Sequence, residues 1–190
     1  MAEKPSIFQD GRDMVLSLAA VGVVMVASVA FTGLCSFNPD TPEQGPVQAV
    51  DDKTTLELES RSLNFPIRYV APPDGWIPNS VRRSSIAGFP APVVGWVTAQ
   101  QGYIQLTQTG VDLPTATERF DGNLREPEAS RTIGGREVRI LRAKDDDIDD
   151  LWAVDLGDVR LLFSGRASDD EFRQIITQAF ASAPFPATVG

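Results

Sequence analysis

The hydrophobic and polar positions along this chain change period twice. Residues 14–34 read MVLSLAAVGVVMVASVAFTGL, an uncharged apolar run close to the ~20 residues an α-helix needs to cross a bilayer core. Residues 36–50, SFNPDTPEQGPVQAV, have no apolar period and carry Pro39, Pro42 and Pro46, which predicts an extended, solvated tether. Beyond them the pattern is that of a folded domain. Period-two stretches alternate with turn residues, and one helical stripe lies near the end.

Within that domain, Asp51 or Asp52 can cap a short helix over DDKTTLELESRSL that presents Leu56, Leu58 and Leu63, although Leu56 and Leu58 also fit a strand. Ile67 and Tyr69 alternate with Arg68 and Val70 as in a strand, which Pro72-Pro73-Asp74-Gly75 ends. Trp76 is expected in the core. Residues 93–109 form the clearest hairpin. Val94 and Trp96 share a face before the Gln101-Gly102 turn, and Ile104 and Leu106 share one after it. Residues 113–120 predict a short helix, closed by Asp121-Gly122. Gly134-Gly135 turns into REVRILRA with Val138 and Ile140 inward. LWAVDL turns at Leu156-Gly157-Asp158 into VRLLFSG, where Val159, Leu161 and Phe163 share a face. These three strands read as an antiparallel meander. The stretch SDDEFRQIITQAFASA carries a Ser168/Glu171 capping box and an apolar stripe of Phe172, Ile175, Ile176, Ala179 and Phe180, and Pro184 and Pro186 end it.

The expected fold class is α+β. An N-terminal transmembrane helix precedes one extracytoplasmic domain, an antiparallel sheet of five to seven strands packed by the C-terminal helix. The expected boundaries are a cytoplasmic tail at 1–13, the span at 14–34, the tether at 35–50, the domain at 51–186 and a tail at 187–190. Lys4 and Arg12 precede the span and the next basic residue is Lys53, so the positive-inside rule places the N-terminus in the cytoplasm and the domain outside the plasma membrane. The rival is a signal peptide cleaved after Ser28-Val29-Ala30. The apolar run exceeds a typical h-region and continues through Phe31 and Leu34, which favours a retained anchor.

Composition narrows the chemistry. The 190 residues leave room for one domain of ordinary size after tail, span and tether. Net charge is −9, from 26 acidic and 17 basic residues, with the acids interleaved among arginines. That balance disfavours a nucleic-acid or anionic-lipid surface, both of which need clustered positive charge. The absence of histidine removes Ser/His/Asp triads, His-zinc sites and His-ligated haem. Cys35 is the single cysteine, so no disulfide forms within the chain, and Leu34 before it does not suit a lipid-modified cysteine.

The run of Asp145, Asp146, Asp147, Asp149 and Asp150 lacks the spacing of a calcium loop and reads as a solvated turn. Arg82 and Arg83 are expected to face solvent. Arg136 and Arg142 fall on one strand face and Arg139 on the other, which makes no single anion patch. No nucleophile elbow, P-loop or dinucleotide motif is present. No catalytic, cofactor-binding or metal-ligating residue is therefore designated, and no cofactor is expected. The reading is a membrane-anchored, non-catalytic binding or assembly module for an envelope protein or membrane complex. The alternatives are capture of a small apolar or lipidic ligand between sheet and helix, and a glycan-active enzyme using paired carboxylates.

The segments RDMVLSLAAVGVVM, FNPD, FPIRYVAPPDGWIPNS, GWVTAQQGYIQLTQ and SGRASDDEF, in that order over nearly the full length, resemble an actinobacterial membrane family designated domain of unknown function 4245. The resemblance implies a single-pass protein of the cell envelope and carries no catalytic residue with it. One departure is REVRI after Gly135, where the family pattern has a tryptophan, and it bears on that strand's packing.

Overall fold

The computed structural model describes residues 11–32 and 47–185, with side chains described over 14–28 and 47–185. The described residues fall into two units, divided between Gly45 and Pro46.

The first unit contains α1 (Gly11–Thr32), a helix of 22 residues that starts before the expected Met14. Its large apolar side chains, from Met14 (70%) to Val26 (71%), stand exposed. Among the described residues no helix is long and apolar enough to cross a membrane. The described side chains of α1 span 14–28, and at 1.5 Å per residue these cover only about 21 Å. Leu34, Cys35 and most of the expected tether lie outside the described residues.

The second unit is an α+β domain. It comprises α2 (Asp52–Ser60), β1 (Ile77–Ile86), β2 (Phe89–Val97), β3 (Tyr103–Thr109), α3 (Leu113–Glu118), β4 (Arg125–Ile133), β5 (Arg136–Ala143), β6 (Leu151–Asp155), β7 (Arg160–Arg166) and α4 (Asp169–Ala181). The seven strands form one sheet of order β1-β2-β3-β7-β6-β5-β4, antiparallel throughout. Two meanders, β1 to β3 and β4 to β7, thus meet where their last strands pair.

The predicted hairpin is in place, with Val94 opposite Leu106 and Trp96 opposite Ile104. Gln101 at φ 64° makes its turn, and the Thr98 hydroxyl accepts from the Gly102 N–H at 2.8 Å. The meander of β5, β6 and β7 is also in place, with Val138, Ile140, Val159, Leu161 and Phe163 all in the main core. At the start of α4 the Ser168/Glu171 capping box forms. Phe172, Ile175, Ile176 and Ala179 are buried at 3% exposure or less, and the Phe172 ring stacks on Trp152 with centroids 5.1 Å apart. Phe180 is only half-buried, under the Arg136 guanidinium.

Asp51 is the cap of α2, accepting from the Thr54 N–H at 3.0 Å. Leu56 and Leu63 are buried, whereas Leu58 is 58% exposed because it points off the opposite side of this helix. The domain begins before residue 51, since the Val50 N–H already donates to the Pro78 carbonyl at 2.9 Å.

Two strand expectations need correction. Residues 67–70 form no strand and make only an isolated bridge from Arg68 to Pro184. Their neighbour is the side chain of Gln108, 1% exposed, which accepts from the Arg68 N–H and donates to the Arg68 carbonyl, both at 2.8 Å. One side-chain amide does there what a ladder partner would. The second correction is two added strands, β1 and β4, which are the edges of the sheet. Their sequences are polar because each edge buries little, and Pro127 sits at a register irregularity of β4 where it takes no ladder bond away.

The two sheet faces differ. One carries the main core under α2, residues 63–70 and α4. The other is covered by α3 over a smaller cluster of Ile86, Ala91, Leu151, Ala153 and Leu162. The rest of that second face is open.

Candidate functional site

The open part of the second face is a groove of about 470 Å³. Its floor is the outward row of the sheet: Ile86 from β1, Val93 from β2, Gln105 and Thr107 from β3, and Ser164 from β7, with Ser84 of β1 at the exposed rim. Strand alternation puts them there, because Ile104, Leu106 and Phe163 between them face the main core. Residues 120–125 form one wall and residues 147–149 another.

Arg125 fixes both walls. Its side chain is 2% exposed, and Nη1 and Nη2 donate to the two Asp121 carboxylate oxygens at 2.7 and 2.8 Å. Its Nε donates across to the Asp149 carbonyl at 3.0 Å. The guanidinium also lies 5.6 Å from the Phe120 ring centre. From the other side, Arg166 donates to the Asp147 carbonyl at 3.1 Å and to the Asp149 carboxylate at 3.2 Å. Burial alone would push the Asp121 carboxyl up. The Arg125 hydrogen bonds and charge, with the Asn123 N–H, outweigh it and hold the group below the ordinary carboxylate range.

This settles where the sequence candidates lie. The acidic run is not simply a solvated turn: Asp149 and Asp150 are half-buried, and the Asp147 and Asp149 carbonyls serve as arginine acceptors. Among the described residues no three Asp or Glu side chains are placed to hold a metal ion. Arg82 leans over the groove and donates to Gln105 Oε1 at 2.8 Å, while Arg83 turns away to Glu59 at 2.7 Å. Arg142 pairs with Glu128 at 2.7 Å and Arg136 covers Phe180, so the strand arginines make no shared patch.

What sequence reading missed is the groove itself. The available signal was the second row of β3. Gln105 and Thr107 are uncharged polar residues with their backs to a buried apolar row, and Thr107 is only 3% exposed. Thr107 and Ser164 (4% exposed) form no side-chain hydrogen bond within the described residues, and neither do Gln105 Nε2 and the Asn123 amide. Thr107 and Ser164 are buried, but their hydroxyl oxygens are not sealed from solvent and face the groove.

A chemical limit follows. A general acid for glycoside hydrolysis needs a raised carboxyl pKa, whereas Asp121 is lowered and spent on Arg125. The groove's best-anchored carboxylate is thus poorly suited to donate a proton.

Residues 6–179 match the model of a family described as a protein of unknown function (DUF4245). No curated protein and no solved structure matches the chain.

Proposed function

We propose that this chain, which belongs to the DUF4245 family, is a single-pass envelope protein whose α+β domain is a non-catalytic binding module. The observation that carries this is the polar groove. Its walls are pinned by arginines while the Thr107 and Ser164 hydroxyls, Gln105 Nε2 and the Asn123 side-chain amide keep hydrogen-bonding capacity to spare. Sites built on rigid strands with a few convergent polar groups are the usual form of a binding pocket. Capture of an apolar ligand between sheet and helix is less well supported, because the side chains joining them are buried and stacked on one another.

The retained anchor, over residues 14–34, rests on the uncharged apolar run and on the basic residues ahead of it. A helix apolar on all sides and exposed from Met14 to Val26 needs a cover, and lipid is the cover that fits. The N-terminus then lies in the cytoplasm and the domain that carries the groove lies outside the plasma membrane. A mature protein whose mass begins at Phe31 would overturn the anchor.

The module is tested by recovering the full chain from gently solubilised membranes beside the variant Ser84→Trp, which fills the groove from an exposed rim position. A companion molecule held by the native chain and lost from the variant is expected. Recovery of both as bare monomers would end the reading.

A further inference from the structure

The groove's charge balance names the class of ligand. Of the ionic side chains along it, Arg125 is neutralised by Asp121 and Asp149 by Arg166. Arg82 and Asp147 remain, one of each sign. One free arginine beside one free carboxylate leaves no net field to favour a phosphate, a carboxylate or a cation. An apolar ligand would seal off the Thr107 and Ser164 hydroxyls with no partner, a costly arrangement. Phe120 and Ile148, both half-buried, supply apolar surface beside those hydroxyls, over the nearly sealed Ile86 and Val93. Closely interleaved hydroxyl, amide and apolar surface of near-zero net charge matches a ring that bears hydroxyls on its edge and C–H bonds on its faces.

We infer that the groove between Thr107, Ser164, Gln105 and Asn123 binds a neutral saccharide. The 470 Å³ volume lies within the ~300–1,000 Å³ of ordinary small-molecule sites and accommodates a mono- or disaccharide. The Thr107 and Ser164 hydroxyls, Gln105 Nε2 and the Asn123 amide make the hydrogen bonds, and the apolar side chains take the ring face. This rests on the groove being the binding site of the module.

The test is saturation-transfer NMR on the full chain in phosphatidylcholine nanodiscs, which carry no sugar. The probes are glucose, galactose, mannose, ribose, maltose and cellobiose, with glucuronate and glucosamine as charged controls. Transfer to at least one neutral sugar is expected. The double variant Thr107→Val/Ser164→Ala should weaken it about tenfold or more with the thermal midpoint kept within a few degrees. Ser84→Trp should abolish it, and this rim variant decides the matter if the double variant does not fold. Absence of transfer to every neutral sugar, undiminished transfer in the variants, or equal binding of the charged controls overturns the inference. If sugars fail while Ser84→Trp still sheds a companion from membranes, the saccharide identity falls and the module stands. If no companion is shed either, both fall.

Discussion

Replacing Arg125 with Leu removes the clamp that holds the groove walls. The guanidinium makes two charge-assisted bonds to Asp121 and one to the Asp149 carbonyl from a side chain 2% exposed. Breaking a fully buried pair costs ~3–5 kcal/mol. Asp121 retains 33% of its side-chain surface, so water recovers part of the loss and about 2–3 kcal/mol is expected. At ~4 °C per kcal/mol for a domain of this size, the midpoint should fall by about 8–12 °C. All three tryptophans lie in the domain and are buried, so tryptophan fluorescence reports its unfolding without a signal from α1. Asp121 should respond as well. With Arg125 gone, only the Asn123 hydrogen bonds oppose burial, and the carboxyl should titrate higher than in the native chain. Its native stabilisation belongs to the range above the ordinary carboxylate value and is lost as pH falls through the lowered one, so the variant should also lose part of the native acid sensitivity. A midpoint drop below about 2 °C, or an Asp121 titration that does not move, would show that the clamp does not hold the walls.

Gln108→Leu strips both hydrogen bonds from Arg68 and leaves a half-buried N–H and carbonyl unpaired, for an expected loss of about 2–4 kcal/mol. Urea unfolding and exchange of the Arg68 amide check it, and an amide as protected as in the native chain would refute the strap. Gly165→Ala should leave no folded domain in solution, because a Cβ there, at φ 144°, would collide with the Tyr103 carbonyl of the neighbouring strand; native-like near-ultraviolet dichroism would contradict this. Asp52 is 5% exposed with Oδ2 unpaired, and its burial raises its carboxyl pKa. Its favourable contribution is present below the unfolded value and lost as pH rises through the folded one. Asp52→Asn should therefore be more stable than the native chain at pH 7, with the advantage closing as pH falls into the carboxylate range. An advantage that does not change with pH would refute this assignment.

The parts legible in the sequence are those whose pattern repeats within a few residues. The alternation through Val94, Trp96, Ile104 and Leu106 and the stripe from Phe172 to Ala179 each bury one face, and burial writes itself into local periodicity. The edges β1 and β4 were not legible, since a strand with one neighbour tolerates the polar runs IPNSVRRSSI and REPEASRTI. The stretch around Arg68 imitated a strand because Ile67 and Val70 are buried, but what pairs with it is a side chain forty positions away. The groove was hidden for the same reason. Ser84, Thr107, Arg125, Asp149 and Ser164 come from five separate segments, and nothing in any one of them marks a site.

The most direct measurement places a photoreactive benzoylphenylalanine at Ser84, on the groove rim, or at Thr177, on the exposed side of α4, in the full chain in its native membranes. After irradiation, an adduct of defined mass is expected at position 84 and none at 177. Equal adducts at both positions, or none at 84, would contradict a binding module centred on the groove.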